Sequence, residues 1–167
     1  MLDLNTVTQD ILSWSENFVE VPHPALGGWP PCPYARKARL AGTVSILLGT
    51  DPYFDLKNRS RQGMGNYEVI VYAYDPILWT YPRFHTLLDS ANNDFLLSKD
   101  LLVLEDHPDD VEIVNGICLN QGKYALSLVQ SLSKLDAAAA QMATKGFYHA
   151  WPDEDLTALF AHRKDPR

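Results

Sequence analysis

The sequence has little cysteine: Cys32 and Cys118 are the only thiols among 167 residues. A framework of disulfides therefore cannot define the fold. The first ten residues, MLDLNTVTQD, contain two aspartates and no basic residue, which does not fit a secretory signal. We expect both cysteines to be free thiols in a soluble, cytoplasmic protein, because disulfides seldom persist in the cytosol.

The sequence also lacks a long apolar run and an excess of basic residues. No segment approaches the roughly 20 consecutive apolar residues that span a membrane, so we expect no membrane insertion. There are 14 basic and 21 acidic residues, which gives a formal net charge of -7. Such a balance disfavours nucleic-acid binding, which needs a basic face to contact phosphates.

The residues that are present are typical of one folded domain. The length suits a single domain, and 46% of the residues are hydrophobic, which is enough for a sizeable core. Trp14, Trp29, Trp79 and Trp151 are spread along the chain, so nearly all of it should fold. We predict one domain over residues 1–167, in which 147–167 form a C-terminal helical extension.

The apolar pattern predicts strands that alternate with helices. The run Val69-Ile70-Val71 is apolar on both faces, which is typical of a central strand. The spacing of Leu126, Val129 and Leu132 predicts a long helix. The predicted strands are 43–49, 67–74 and 101–106, with 111–119 as a candidate fourth; the predicted helices are 4–19, one within 76–97, 123–145 and a short one after Trp151; 50–66 is predicted to be a polar loop.

These elements define a fold class. A strand, a helix and a strand in succession predict a right-handed parallel crossover. The sequence therefore predicts an α+β fold, in which a small mixed sheet of three to four strands has helices packed mainly on one face.

The first candidate site is Cys32 in HPALGGWPPCPYARKARLAG, residues 23–42. The CPY motif and the basic residues after it resemble the glutaredoxin active site, and Arg36 and Lys37 would favour a thiolate. Ala35 replaces the second cysteine of a CxxC motif, however, and no strand is predicted before the loop. Dithiol chemistry is therefore disfavoured, and a small buried thiol in a proline-rich turn is the alternative.

The second candidate site is LEDHPDD, residues 104–110, where His107 follows a predicted strand. Ligands often bind at such strand ends in α/β sheets. A metal site would need three or four converging ligands, and a solvent-facing His-Pro turn is the alternative. The carboxylates near this histidine are Asp106, Asp109, Asp110 and Glu112.

Two more segments contain polar side chains beside regular structure. Asn120 and Lys123, in NGICLNQGKYALSL, precede the long predicted helix, whose first amides could hold an anion or simply be capped. Tyr148 and His149, in GFYHAWPDEDL, lie in an aromatic segment that we expect to seal the core.

Four segments, in this order, resemble an uncharacterised bacterial family of unknown function. WPPCPYARKARLAGTVSILL resembles its Cys-Pro-Phe-Ala segment, and YEVIVYAYDPILWTYPRFHTLLDSANNDFL its next strand and helix. VLEDHPDD resembles its Phe-His-Pro strand end, and LNQGKYALSLVQSLSKLDAAAA its Asn-Arg-Ser-Pro-Tyr-Pro turn. Tyr34 and Asp106 replace phenylalanines of the family motifs, and Gln121 replaces an arginine. The resemblance covers about residues 10–140 and implies a shared pocket without naming a reaction.

If the candidate loops converge, three side chains form a catalytic set. Cys32 would be the nucleophile, His107 the base that holds its proton, and Asn120 the group that orients the imidazole. Asp109 is an alternative orienting or substrate-binding group. The reaction would then be acyl or amide transfer, or a thiol redox step.

The same loops offer cations for a small anionic substrate: Arg36, Lys37 and Lys123. Two other functions stay open. The pocket could belong to a non-catalytic module that binds a small molecule or a metal, or the aromatic C-terminal helix could bind another protein. The sequence leaves the cofactor and the oligomeric state undetermined.

Overall fold

A computed structural model describes all of residues 1–167 and contains a four-stranded mixed sheet with six α-helices. The sheet strands are β1 (Val44–Leu48), β2 (Val69–Tyr74), β3 (Leu101–Asp106) and β6 (Ala125–Ser131); β4 (Ile113–Val114) and β5 (Ile117–Cys118) form a separate hairpin. The helices are α1 (Leu4–Trp14), α2 (Ala35–Leu40), α3 (Pro52–Gln62), α4 (Tyr81–Ala91), α5 (Leu132–Thr144) and α6 (Asp153–Leu159).

The sheet has the spatial order β1-β2-β6-β3. β1 and β2 are parallel and are joined through α3, whereas β6 runs antiparallel between β2 and β3. The α+β class with a mixed sheet is thus confirmed. The prediction of a central strand at 67–74, followed by a helix and a strand at 101–106, is confirmed by β2, α4 and β3.

The predicted helix over 123–145 is wrong in its first half. Residues 125–131 form β6, and α5 begins only at Leu132, where the Ser131 side chain accepts a hydrogen bond from the amide of Lys134. β6 lies inside the sheet, so residues on both of its faces are buried, among them Leu126 and Val129. An apolar run of that kind fits helical spacing as well as strand spacing, which explains the error.

Two other predicted segments differ from the structure. Residues 52–62, predicted to be part of a loop, form α3, whose start is capped by Asp51 and whose first residue is Pro52. This helix is polar and buries only Leu56 and Pro52, so its sequence lacks a clear apolar stripe. Residues 111–119 form the β4-β5 hairpin rather than one strand, because Asn115 and Gly116 adopt positive φ angles in its turn.

Helices pack on both faces of the sheet. α3 and α4 cover one face, where Leu56, Phe84 and Leu88 contact the main core. On the other face, Val7 and Ile11 of α1 pack against β2 and β6. No helix of the structure is both long and apolar enough to cross a bilayer.

The C-terminal segment packs on α5 rather than on the sheet. Leu156 and Phe160 of the α6 region are buried against Ala139. Arg163 donates a hydrogen bond to the carbonyl oxygen of Leu135 at 3.1 Å. Phe147 and Phe160 therefore face the interior, whereas Tyr148 and Trp151 are half-buried.

Candidate ligand-binding site

A groove of about 540 Å³ lies on the sheet face that α1 covers only in part. Its floor consists of side chains that alternate along the strands and share one face. Such a volume falls within the range of about 300–1,000 Å³ that is typical of small-molecule pockets. The apolar floor residues are Val44, Val69, Val71, Leu104 and Leu128.

The walls of the groove come from α1, α2 and α5. Trp14, at the end of α1, contributes an indole whose Nε1 atom is buried without a hydrogen-bond partner. Tyr34, at the start of α2, places its hydroxyl oxygen 3.5 Å from the carbonyl oxygen of Ala138 in α5. Helices α2 and α5 thus approach each other above the sheet.

Two lysines line the groove without an acidic partner. Lys37 belongs to α2 and Lys134 to the first turn of α5, and neither forms a salt bridge. Arg39, by contrast, is committed to Glu20, since its Nε atom lies 2.7 Å from Oε1. Gln130 of β6 adds an amide to the floor that makes no side-chain hydrogen bond within the protein.

The opposite end of the groove is acidic. At one end of β3, Leu101 pairs with Ser131, which directly precedes α5. Asp106 lies at the other end of β3, so about one strand length, roughly 17 Å, separates it from the start of α5. Burial raises the pKa of Asp106, although the amide of Gln121 donates to its carboxylate at 2.8 Å. Loss of solvation, together with the negative charge of Asp106, raises the pKa of Glu112 to about 7.

Cys32 lies in the wall of this groove, on the loop between α1 and α2. The loop is held at its ends by backbone hydrogen bonds: Cys32 donates to Val19 at 3.1 Å, and His23 donates to Trp29 at 3.0 Å. Burial raises the pKa of the Cys32 thiol, so the thiol stays protonated at neutral pH. A half-buried thiol that stays protonated is a poor nucleophile.

His107 lies elsewhere, in the core beside α4. Its ring is 1% exposed and packs between Tyr81 and Phe84, with ring centroids 5.6 and 5.8 Å away. The Nε2 atom lies 2.9 Å from the carbonyl oxygen of Trp79, and Nδ1 lies 3.1 Å from the amide nitrogen of Asp109. Because a carbonyl oxygen only accepts, Nε2 carries the proton and Nδ1 is the acceptor. Both ring nitrogens are therefore occupied by the backbone.

Asn120 organises the loop between β3 and β6. Its Nδ2 atom donates to Asp106 Oδ1 at 2.9 Å and to the carbonyl oxygens of His107 and Asp110 at 3.2 and 2.9 Å. Its Oδ1 atom accepts from the amide of Glu112 at 2.7 Å. Neither Asn120 nor His107 lines the groove that contains Cys32. The structure brings the histidine and the asparagine into one loop, and it does not bring them to the thiol.

No protein-family model matches this sequence, and no curated protein or solved structure matches the chain. The resemblance to the bacterial family therefore stays a prediction.

The structure separates the predicted substrate-binding residues. Lys37 lines the groove, whereas Lys123 pairs with Asp10, with 3.1 Å between Nζ and Oδ2. Arg36 is exposed on α2, and Asp109 is exposed in the loop after β3; neither lines the groove. Of the four predicted residues, only Lys37 is thus available to a ligand in this site.

Two of the predicted functions, metal binding and protein binding through the C-terminal segment, find little support in the geometry. No group of three or more His, Cys, Asp and Glu side chains is arranged to hold a metal ion. In the aromatic C-terminal segment, Phe147 and Phe160 are 4% and 5% exposed and pack within the fold. Neither ring is free to bind a partner.

The groove residues that the sequence-based prediction missed include Trp14, Gln130 and Lys134. Trp14 fits the apolar stripe of a helix, and nothing in the sequence separates it from core residues. Gln130 follows Leu126 and Leu128 in strict alternation, which is a strand signal, but the segment also fits a helix. Lys134 then falls in the middle of that predicted helix instead of at a helix start.

Proposed function

We propose that this protein binds a small amphipathic anion, with an apolar body and one acidic head group, in the groove on the sheet. One observation carries the proposal: two lysines that form no salt bridge line the same groove as the apolar floor on the sheet. A pocket that combines apolar lining with a few polar groups is the usual form of a small-molecule site.

The charges of the groove support one orientation of the ligand. The acidic head group would lie near Lys37 and Lys134, since these cations are unpaired. The apolar body would lie along Leu128 and Leu104 of the floor. The carboxylates at the far end, Asp106 among them, would repel a second anionic group, which favours a ligand with a single acidic head.

The placement of the predicted catalytic residues supports a site that binds a ligand and does not transform it. The Cys32 thiol has a raised pKa, and no imidazole stands beside it to take its proton. To act as a base, His107 would have to release the hydrogen bond that its Nδ1 atom accepts from the amide of Asp109. The thiol-dependent transfer predicted from the sequence therefore receives less support than a binding site.

Three probes with the same alkyl chain test the proposal: decanoate, decanol and decyltrimethylammonium. Titration calorimetry and the intrinsic tryptophan fluorescence should show binding of decanoate, weaker binding of decanol and the weakest binding of the cation. All three probes gain the same free energy of binding from the apolar chain. The lysines attract the head group of decanoate, leave that of decanol almost unaffected and repel that of decyltrimethylammonium. Equal affinity for the cation and the anion, or no binding of decanoate, would contradict the proposal.

Matched variants locate the site. Lys37→Gln and Lys134→Gln should each weaken decanoate binding about two- to fivefold and leave decanol binding unchanged, since an exposed ion pair contributes about 0.3–1 kcal/mol. Lys57→Gln removes the same charge from α3, on the other face of the sheet, and should change neither affinity. Loss of affinity with Lys57→Gln equal to that of the groove variants would indicate a nonspecific charge effect.

A further inference from the structure

The outer edge of β1 has a row of unpaired backbone groups. In a parallel pair, every second residue bonds to the neighbouring strand. The carbonyl of Thr43 accepts from the amide of Val69, and the amide of Gly49 donates to Ala73, so the odd-numbered residues of this strand face β2. The amides and carbonyls of Val44, Ile46 and Leu48 therefore point away from the sheet, and none of them has a hydrogen-bond partner in the protein.

The other edge of the sheet is blocked at its middle residue. Asn92, in the π-helical turn after α4, donates from Nδ2 to the carbonyl of Val103 at 3.0 Å. Its Oδ1 atom accepts from the amide of Val103 at 2.9 Å. One buried side chain thus occupies the outward backbone groups in the middle of β3, whereas no side chain does so on β1.

The open edge also lacks the features that usually protect such strands. Proteins protect exposed edges with charged side chains, proline or bulges. β1 reads VSILL and contains neither a charge nor a proline, and its five residues pair with β2 in an unbroken register. Leu48 is 37% exposed, and Leu40 and Phe54, in the helices that precede and follow β1 in the chain, are 67% and 59% exposed.

We propose that β1 pairs antiparallel with β1 of a second copy of this chain, about a twofold axis at Ile46. In that register Ile46 faces its own counterpart, and Val44 faces Leu48 of the other copy. All three outward residues then exchange hydrogen bonds at once, and two four-stranded sheets become one continuous sheet. The dimer does not depend on the ligand-binding function proposed above.

A second copy fits this edge better than a charged peptide does. The outward row is self-complementary under a twofold axis, because each outward residue meets another outward residue. The chain has a net charge of -7, so two copies repel each other over most of their surface, yet the paired strands would oppose no charged side chains. The exposed leucines and Phe54 would add apolar area beside the six new hydrogen bonds expected from the register.

Residue-resolved hydrogen exchange on the wild-type chain tests the proposal directly. The amides of Ser45 and Leu47, which bond to β2, should exchange slowly at every protein concentration. The amides of Val44, Ile46 and Leu48 should exchange fast in dilute solution and become slow as the concentration rises, in step with a doubling of the mass measured by light scattering. A mass that stays at 18.8 kDa at all concentrations, or a dimer whose three outward amides still exchange fast, would overturn the proposal.

A pair of variants at one position adds an independent test. Leu48→Pro removes an outward amide and no hydrogen bond within the chain, so it should fold and stay monomeric where the wild type is dimeric. Leu48→Ala truncates the same side chain, keeps the amide and should still dimerise. A Leu48→Pro protein that remains dimeric contradicts the proposal; if this variant fails to fold, the exchange of the three wild-type amides decides.

Discussion

His107 and Trp79 are joined by a hydrogen bond of 2.9 Å, from the imidazole Nε2 atom to the backbone carbonyl oxygen of the tryptophan. This bond ties the loop after β3 to the loop after β2, at the edge of the sheet where both strands end. The histidine is the buried polar group that joins the two loops, and this geometry favours a structural role.

We predict that His107→Ala destabilises the fold by about 2–4 kcal/mol. The substitution leaves the Trp79 carbonyl and the Asp109 amide without partners and opens a cavity between Tyr81 and Phe84. Urea unfolding followed by circular dichroism measures the loss. His149→Ala, at an exposed position, should change stability by less than about 0.5 kcal/mol. An equally small effect at position 107 would show that the hydrogen bond to Trp79 contributes little.

The two thiols should react at different rates. Cys118 is exposed in the hairpin, whereas burial raises the pKa of Cys32, so Cys32 should react much more slowly with iodoacetamide at pH 7. Mass spectrometry of the Cys118→Ser and Cys32→Ser variants follows each thiol alone. Both thiols should titrate as free in unfolded protein. A Cys32 that reacts faster than Cys118 in the folded chain would restore the interpretation as a nucleophile.

Stability should fall as the pH rises from about 5 to 8. The pKa of Glu112 is about 7 in the fold, above its ordinary value of 4.5, so the folded state binds more protons than the unfolded state in that interval. The pKa of Glu105 is raised by burial and that of His85 by its bond to Glu105, and both act in the same direction. The melting temperature should therefore be higher at pH 6 than at pH 8.

Glu112→Gln tests the contribution of that carboxyl group. The variant should be more stable than the wild type at pH 8 and should show a smaller difference in melting temperature between pH 6 and pH 8. Glu154→Gln, at an exposed position in α6, should leave that difference unchanged. An identical pH dependence in the wild type and in Glu112→Gln would contradict the assignment.

Protonation of Glu112 should also strengthen anion binding. A neutral carboxyl group at the acidic end of the groove repels the ligand less, so the affinity for decanoate should rise as the pH falls from 8 to 6. The affinity for decanol, measured by the same titration, serves as the reference and should stay constant. In Glu112→Gln the pH dependence of decanoate binding should diminish; its full persistence would assign the effect to another group.

Asn120→Ala should cost about 1–3 kcal/mol, because it removes the donor shared by Asp106 and two carbonyl oxygens. The loop between β3 and β6 should also become more mobile, which amide exchange at Glu112 would report, since that amide loses its acceptor. Asn93→Ala, at an exposed position in the turn after α4, is the matched control. Unchanged exchange at Glu112 would contradict the proposed role.

Part of the fold is predictable from the sequence because some local residue patterns fit only one type of secondary structure. The run Val69-Ile70-Val71 fits only a strand that is buried on both faces, and it forms β2 inside the sheet. The segment 125–131 could not be assigned in the same way. Its residues are apolar at both helical and strand spacing, and only pairing with β2 and β3 makes it a strand.

The sequence by itself determined the fold class and supplied a candidate set of polar residues, because turn residues and apolar periodicity act over short distances along the chain. Which of those residues meet was decided only by the tertiary structure. The insertion of β6 between β2 and β3 leaves His107 against α4 and directs Leu128 and Gln130 to the opposite face, toward Cys32 and Lys134. The separation of His107 from Cys32 depends on contacts between residues far apart in the sequence, and such contacts cannot be predicted from local sequence patterns.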